Sequence, residues 1–279
     1  MANKYKRSYF FGVHANPTRG LSVFLRSFLF IILVVTYLVA SNLRHVENPA
    51  DKLMPPPSKM VESMIEMTST KDITTDGYVF WDDTYSSLRR LLLGLALSMT
   101  LGFFLGLNMG LLPGIRESSL SFITFVSNIP PLSILPILLI VFGVDELSKV
   151  VLIFIGTCPF IARDVYRAVR NIPKELIVKA QTLKASQFGL AYRVVTPQVL
   201  PSLLESTRLT LGSTWLFLIA SEAIAASEGL GYRIYLSTRY LSMDVIIPYV
   251  LWITLLAFIL DRLLFTWIKS RYKWYITNR

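Results

Sequence analysis

Glu222 is a carboxylate set inside an apolar run, residues 202–226, and a charge at membrane depth needs a partner or a task. It can hold structure or gate a path, but direct contact with an anionic solute is disfavoured because a bare carboxylate repels an anion. Ser213 and Thr214 add hydroxyls to the same run. A second polar point is Ser127-Asn128-Ile129-Pro130-Pro131, inside residues 119–141. Adjacent prolines remove backbone donors and break a helix. Carbonyls freed in a bilayer must face protein or water. The spacing therefore predicts a broken helix in which Ser127, Asn128, Pro130 and Pro131 either wall a solute path or form a structural kink. A third point is residues 173–201, a basic island between apolar runs. Leu176, Ile177, Ala180 and Leu183 recur on one side of a short helix there, with Lys174, Glu175, Lys179, Gln181 and Lys184 on the rest. Such a helix either rests on its own membrane domain or docks into a partner.

None of these residues makes an enzyme. The chain has no G-x-x-x-x-G-K-[ST] phosphate loop, no G-x-S-x-G elbow and no H-E-x-x-H pair. Arg163, Asp164 and Asp261 are the candidates for a membrane-embedded lipid enzyme, and no nucleophile stands at useful spacing from them. His14 and His45 lie far apart, and the single Cys158 sits in an apolar run. No catalytic residue, disulfide or metal site is expected.

The elements that must position these residues are membrane helices. The 279 residues are 53% hydrophobic and 16% charged, with a net charge of +10, and the mean hydropathy is +0.52. The charges lie between apolar runs, which favours a membrane protein with lipid contacts and no nucleic-acid partner. Apolar runs at 21–40, 87–113, 119–141, 149–161, 202–226 and 245–268 predict an all-α integral membrane protein with six transmembrane helices. Basic segments set the orientation. Lys4, Lys6, Arg7 and Arg19 precede the first run. The 173–201 island follows the fourth. Lys269, Arg271, Lys273 and Arg279, interleaved with aromatics, close the chain. All three segments, and so both termini, are placed on the inner side. Residues 41–84 carry more acid than base and are placed outside, with Ser58 capping a short helix after Pro55-Pro56-Pro57. Residues 232–243 predict a second short outer helix. The chain divides into an N-terminal part, 1–84, and a transmembrane domain, 85–279, carrying the 173–201 loop. Gly94, Ser98, Gly102, Gly106 and Gly110 recur every fourth residue, a small-residue stripe for close helix packing. Arg89 and Arg90 run against the inside-positive pattern, Glu205 and Arg208 are spaced to pair, and Arg163, Arg167 and Arg170 share a basic helical face.

Three stretches carry a resemblance. Ala180 followed by V-V-T-P at 194–197 resembles the cytoplasmic coupling loop of ABC importer membrane subunits. IPPLSILPILLIVFGVDELSK and SEAIAASEGLGYRI resemble more narrowly the nitrate, sulfonate, taurine and bicarbonate permeases. The match departs at Val178, Lys179 and Lys184, where the family has an acid, an alanine and a glycine. Ala180 and Pro197 fit, and Glu175 supplies a carboxylate one turn early. The resemblance implies a bacterial inner-membrane permease working as a homodimer. Its partners are two ATPase subunits, which hold the ATP and Mg and grip the helix around Leu176–Leu183, and a periplasmic or lipoprotein solute-binding protein. The chain itself holds no cofactor. A permease for another small organic solute is the alternative. A stand-alone carrier predicts internal repeats, and none is clear.

Overall fold

The computed structural model describes residues 18–48, 51–69, 71 and 77–277. The basic leader with Lys4, Lys6 and Arg7, the acids Asp72 and Asp76, and Arg279 lie outside the described residues.

Helices account for 87% of the described residues, which form no strand beyond one isolated bridge, Lys71 to Tyr78. The helices are α1 (Arg19–Glu47), α2 (Pro57–Ser69), α3 (Val79–Leu111), α4 (Pro113–Ser127), α5 (Pro131–Phe142), α6 (Glu146–Arg170), α7 (Lys174–Thr182), α8 (Gln187–Gly189), α9 (Thr196–Ala225), α10 (Leu230–Arg239), α11 (Met243–Arg271) and α12 (Lys273–Thr277). A π-helical turn, Leu190–Val195, joins α8 to α9.

Apolar length explains α1, α3 and α11, each long and apolar enough to cross a membrane. Two bent pairs raise the candidate spans to five: α4 with α5, bent by 96°, and Gln187–Ala225 with α10, bent by 54°. The run at 119–141 is thus two helices, with Asn128 closing α4 and Pro131 opening α5. Proline at a first helical turn gives up an N–H that has no partner there anyway. The same chemistry corrects the expectation at Ser58: α2 already begins at Pro57. The run at 149–161 belongs to a longer helix, α6, whose inner third carries Arg163, Asp164, Arg167 and Arg170. Those charges leave it without a continuous apolar length, although it is the most enclosed helix of the bundle.

Helices α3, α6 and α9 form the centre. At one end of the bundle, the end expected to face outward and called outer for that reason, they meet in a core of Leu91, Leu95, Leu152, Ile153, Trp215 and Leu218, joined by Leu135 and Leu138 of α5 and Tyr249 of α11. Their inner halves meet in a second core of Phe103, Leu107, Ile161, Val165, Val169, Val195 and Val199. The small-residue stripe of α3 makes the close approach. A Cβ at Gly94 would lie 2.5 Å from Ile153 Cγ2, one at Gly102 3.0 Å from Ile161 Cγ2, and one at Gly110 2.5 Å from Val169 Cβ. At Gly106 the space is taken by Ala162 O and Val165. At Ser98 the hydroxyl receives the Thr157 hydroxyl at 2.6 Å. In contrast, α1 buries only Ser41. Tyr37 and Ser41 tether it by bonds to the carbonyls of Pro55 and Met54.

Candidate functional site

At the outer end, carboxylates from three segments, α6, α9 and the turn after α9, converge on Arg90, which is 1% exposed. Its Nε and Nη2 donate to the two Glu146 oxygens at 2.7 and 2.6 Å, and Nη1 donates to Glu222 Oε1 at 2.8 Å and to the Glu228 carbonyl at 2.9 Å. Glu222 is fully buried. It also accepts from the Ser87 hydroxyl and from the Gly231 N–H at 2.9 Å. Ser87 Oγ in turn accepts the Leu230 N–H at 2.8 Å. Beside this, Asp83 accepts from the Gly229 N–H and from Arg233 Nε, both at 2.8 Å. The turn from α9 into α10 is thus clamped onto α3. It requires glycine at 229, where φ is +121° and a Cβ would stand 2.7 Å from both Arg90 Nη1 and Glu222 Cδ. Glu146, at the mouth ahead of the apolar run, has its carboxyl held below the usual range by the Arg90 hydrogen bonds. Arg90 therefore breaks the inside-positive pattern because it is consumed by carboxylates.

At the inner end, polar groups are fewer. Arg163 Nη1 donates to Ser127 Oγ at 2.7 Å, so α6 touches the corner between α4 and α5. Asn128 and Pro130 are exposed there, while Ser127 and Pro131 are half-buried. Asp164 accepts from the Ser206 hydroxyl at 2.6 Å and pairs with Arg167. Arg208 is given to Asp261, with its two nitrogens at 2.9 and 3.2 Å, and stacks 4.8 Å over Phe265. The ion pair thus joins α9 to α11. On α9, Ser213 and Thr214 both return their hydroxyls to the Thr210 carbonyl. Ser213 is exposed beside Gly212, and Thr214 is buried.

The short helix α7 is not one apolar face but two. Ala180 is buried and Ile177 packs on the inner core, whereas Leu183 is 83% exposed and Leu176 and Val178 also face out. Glu175, Lys179, Lys184 and, at the start of α9, Pro197 are exposed. Lys184 holds φ +56°, the left-handed region that glycine occupies freely. That is the position where the resembling loops carry glycine. Between α7 and the following helix lies a groove of 790 Å³ edged by Leu183, Lys184, Phe188, Tyr192 and Arg193, with Phe188 and Tyr192 stacked at 6.4 Å.

An all-helical bundle with long apolar helices, a broken helix pair and an exposed basic loop is that of a transporter's membrane subunit. Residues 98–272 match the family described as binding-protein-dependent transport system inner membrane component, and the chain belongs to that family. It is 31% identical over 208 residues to the taurine transport system permease protein TauC of Escherichia coli (strain K12), covering 75% of each chain. It is 28% identical to the bicarbonate transport system permease protein CmpB of Synechococcus elongatus (strain ATCC 33912 / PCC 7942 / FACHB-805), covering 73% of this chain and 72% of that one. Among solved structures, an inward-facing conformation of the MetNI methionine ABC transporter is similar in fold, with TM-score 0.56, 20% identity and coverage of 68% and 96%. The family is one of transport subunits rather than enzymes, set in the inner membrane as multi-pass proteins.

Sequence reasoning placed Glu222, Ser127 and the 173–201 loop. It missed Arg90 and Asp83 as organisers, because their partners lie from 56 to more than a hundred residues away, and no spacing rule covers such distances. The available signal was an acid-rich return loop, Glu222 with Glu228, opposite an unexplained outer arginine.

Proposed function

We propose that this chain is the permease subunit of an ATP-driven importer for a small anion of the sulfonate, taurine, bicarbonate or nitrate class. The observation that carries the reading is its relation to taurine and bicarbonate permeases over about three-quarters of its length. In this reading the chain crosses the membrane six times with both termini inside, and α6 serves as a span although its inner third is charged. Residues 1–84 form a peripheral helix and outer segment, and 85–279 the transport domain. A second copy completes the pathway, with the exposed α9 stripe of Leu209, Gly212, Ser213 and Leu216 as a surface for it or for the solute. Lipid covers α1.

Two ATPase subunits, which hold ATP and Mg, grip α7 and the groove beside it. The exposed Leu183, Leu176 and Val178 would enter an apolar cleft in each ATPase, while Lys174, Lys179, Lys184 and Arg193 would meet acidic groups around it. Ile177 and Ala180 join α7 to the inner core, so a force on α7 reaches α6 and α9. ATP-driven closure of the motors would then rock the bundle between inward and outward openings. The inner corner at Ser127 and Asn128 lies on the proposed path, and Glu222 acts as the structural centre of the outer gate. A solute-binding protein delivers the anion at the outer face.

The test is uptake of radiolabelled taurine, ethanesulfonate and bicarbonate in cells expressing the chain with its cognate ATPase and binding protein. ATP-dependent uptake of one of the three supports the reading. Transport by the chain without a motor overturns it.

A further inference from the structure

Six cationic side chains among the described residues are at least half-buried: Arg90, Arg116, Lys149, Arg163, Arg208 and Arg233. Five of them have a carboxylate within ion-pair distance. Arg163 alone does not. Its one hydrogen bond goes to a neutral hydroxyl, Ser127 Oγ, at 2.7 Å. The nearest acid in sequence, Asp164, is turned away to Ser206 and Arg167. A guanidinium has five N–H donors in a planar fork that suits an oxyanion. Half-buried with a single neutral acceptor, it is incomplete as a structural ion, and the missing component is negative.

Its position is equally specific. Arg163 lies about 26 Å along α6 from Glu146 at ~1.5 Å per residue, well past the middle of the helix. There it meets the 96° corner between α4 and α5, where Asn128 is exposed and offers amide donors. We propose that Arg163, with the Ser127 hydroxyl and the Asn128 amide, is an anion-binding station for a sulfonate or similarly charged oxyanion on the inner half of the path. The inference rests on the importer reading, and it adds the residue that gives the path its sign. Glu222 at the outer end takes no part, since its acceptor positions are filled by Arg90, Ser87 and the Gly231 N–H.

The test uses the complete complex of permease, ATPase and binding protein in phosphatidylcholine nanodiscs, in a Cys158→Ala background. Ser127→Cys and, separately, Asn128→Cys variants are labelled with 2-sulfonatoethyl methanethiosulfonate and with its trimethylammonioethyl counterpart. The expected result is that, with each rate divided by that reagent's rate on a free thiol in solution, the anionic reagent reacts about tenfold faster than the cationic one. The ratio should fall to near one when Arg163→Gln is added and stay high with Arg163→Lys, and ethanesulfonate should slow labelling only while position 163 is cationic. A ratio near one with Arg163 in place overturns the proposal, as does failure of both reagents to reach either position. Protection by phosphatidylglycerol but not by ethanesulfonate also overturns it, because the site is then a lipid site. A charge-dependent ratio with ethanesulfonate protection supports the station even where taurine, ethanesulfonate and bicarbonate uptake all fail, an outcome that counts only against the importer reading.

Discussion

The two ends of the bundle are built from different interactions. The outer end is a closed network: Arg90, Glu222, Glu146 and Glu228 on one side, and Asp83, Arg233 and the Gly229 N–H on the other, with partners drawn from α3, α6, α9 and α10. The inner end has one half-buried guanidinium without a carboxylate, Arg163, a bent helix pair and an exposed basic helix. A buried ion with all its partners is costly to disturb, whereas exposed groups can exchange partners at little cost. The contrast assigns rigidity to the outer end and the capacity for new contacts to the inner one.

Breaking the outer network directly should give the largest effect. Arg90→Met leaves Glu222 and Glu146 without their shared cation and is expected to cost about 3–5 kcal/mol, read as lost thermal stability of the purified complex. The double change Arg90→Met with Glu222→Met should recover most of that loss, and a double variant as unstable as the single would refute a charge-pairing origin. Gly229→Ala comes next. It forces a Cβ into Arg90 and Glu222 at φ +121° and should cost about 1–3 kcal/mol, measured the same way.

The inner end should respond with the opposite sign. Lys184→Gly removes a left-handed strain at φ +56° and should stabilise the fold by about 1 kcal/mol, while ATPase capture is retained. Leu176→Asp with Leu183→Asp changes outward-facing side chains and should move stability by no more than ~0.5 kcal/mol, yet release the ATPase in co-purification. Unchanged recovery of the ATPase would show that α7 is not the grip. The smallest effect concerns Glu146, whose side chain is 51% exposed. Its folded pKa lies below its ordinary value of 4.5, so its stabilising contribution is present above that value and is lost as pH falls through the lowered one. The difference in thermal midpoint between the parent chain and Glu146→Gln should therefore be constant at neutral pH and shrink only in acid below that value.

The apolar runs at 21–40, 87–113 and 245–268 were legible because a bilayer demands a continuous greasy length, and α1, α3 and α11 follow that demand. The corner at 128–130 was legible because proline chemistry is local. Two features were not. The apolar residues of α7 looked like a single face, but Ile177 and Ala180 turn inward while Leu176 and Leu183 turn out. Sequence spacing reports angle around a helix and not which neighbour lies beside it. Arg208 passed over its i−3 neighbour for Asp261 of α11, a choice made by helix placement. The pairing of Arg90 was invisible for the same reason: Glu222 is 132 residues away.

The glycine stripe of α3 has a mechanical consequence. Branched side chains of α6, Ile153, Ile161, Val165 and Val169, seat in successive gaps on α3 as teeth seat in a rack. Slippage along the axis would require every tooth to clear at once, so the two helices have no play between them. Arg163 near one end of α6 and Glu146 at the other thus ride on one helix that is keyed to α3 along its length, with Pro159 between them as the single interruption of its backbone ladder.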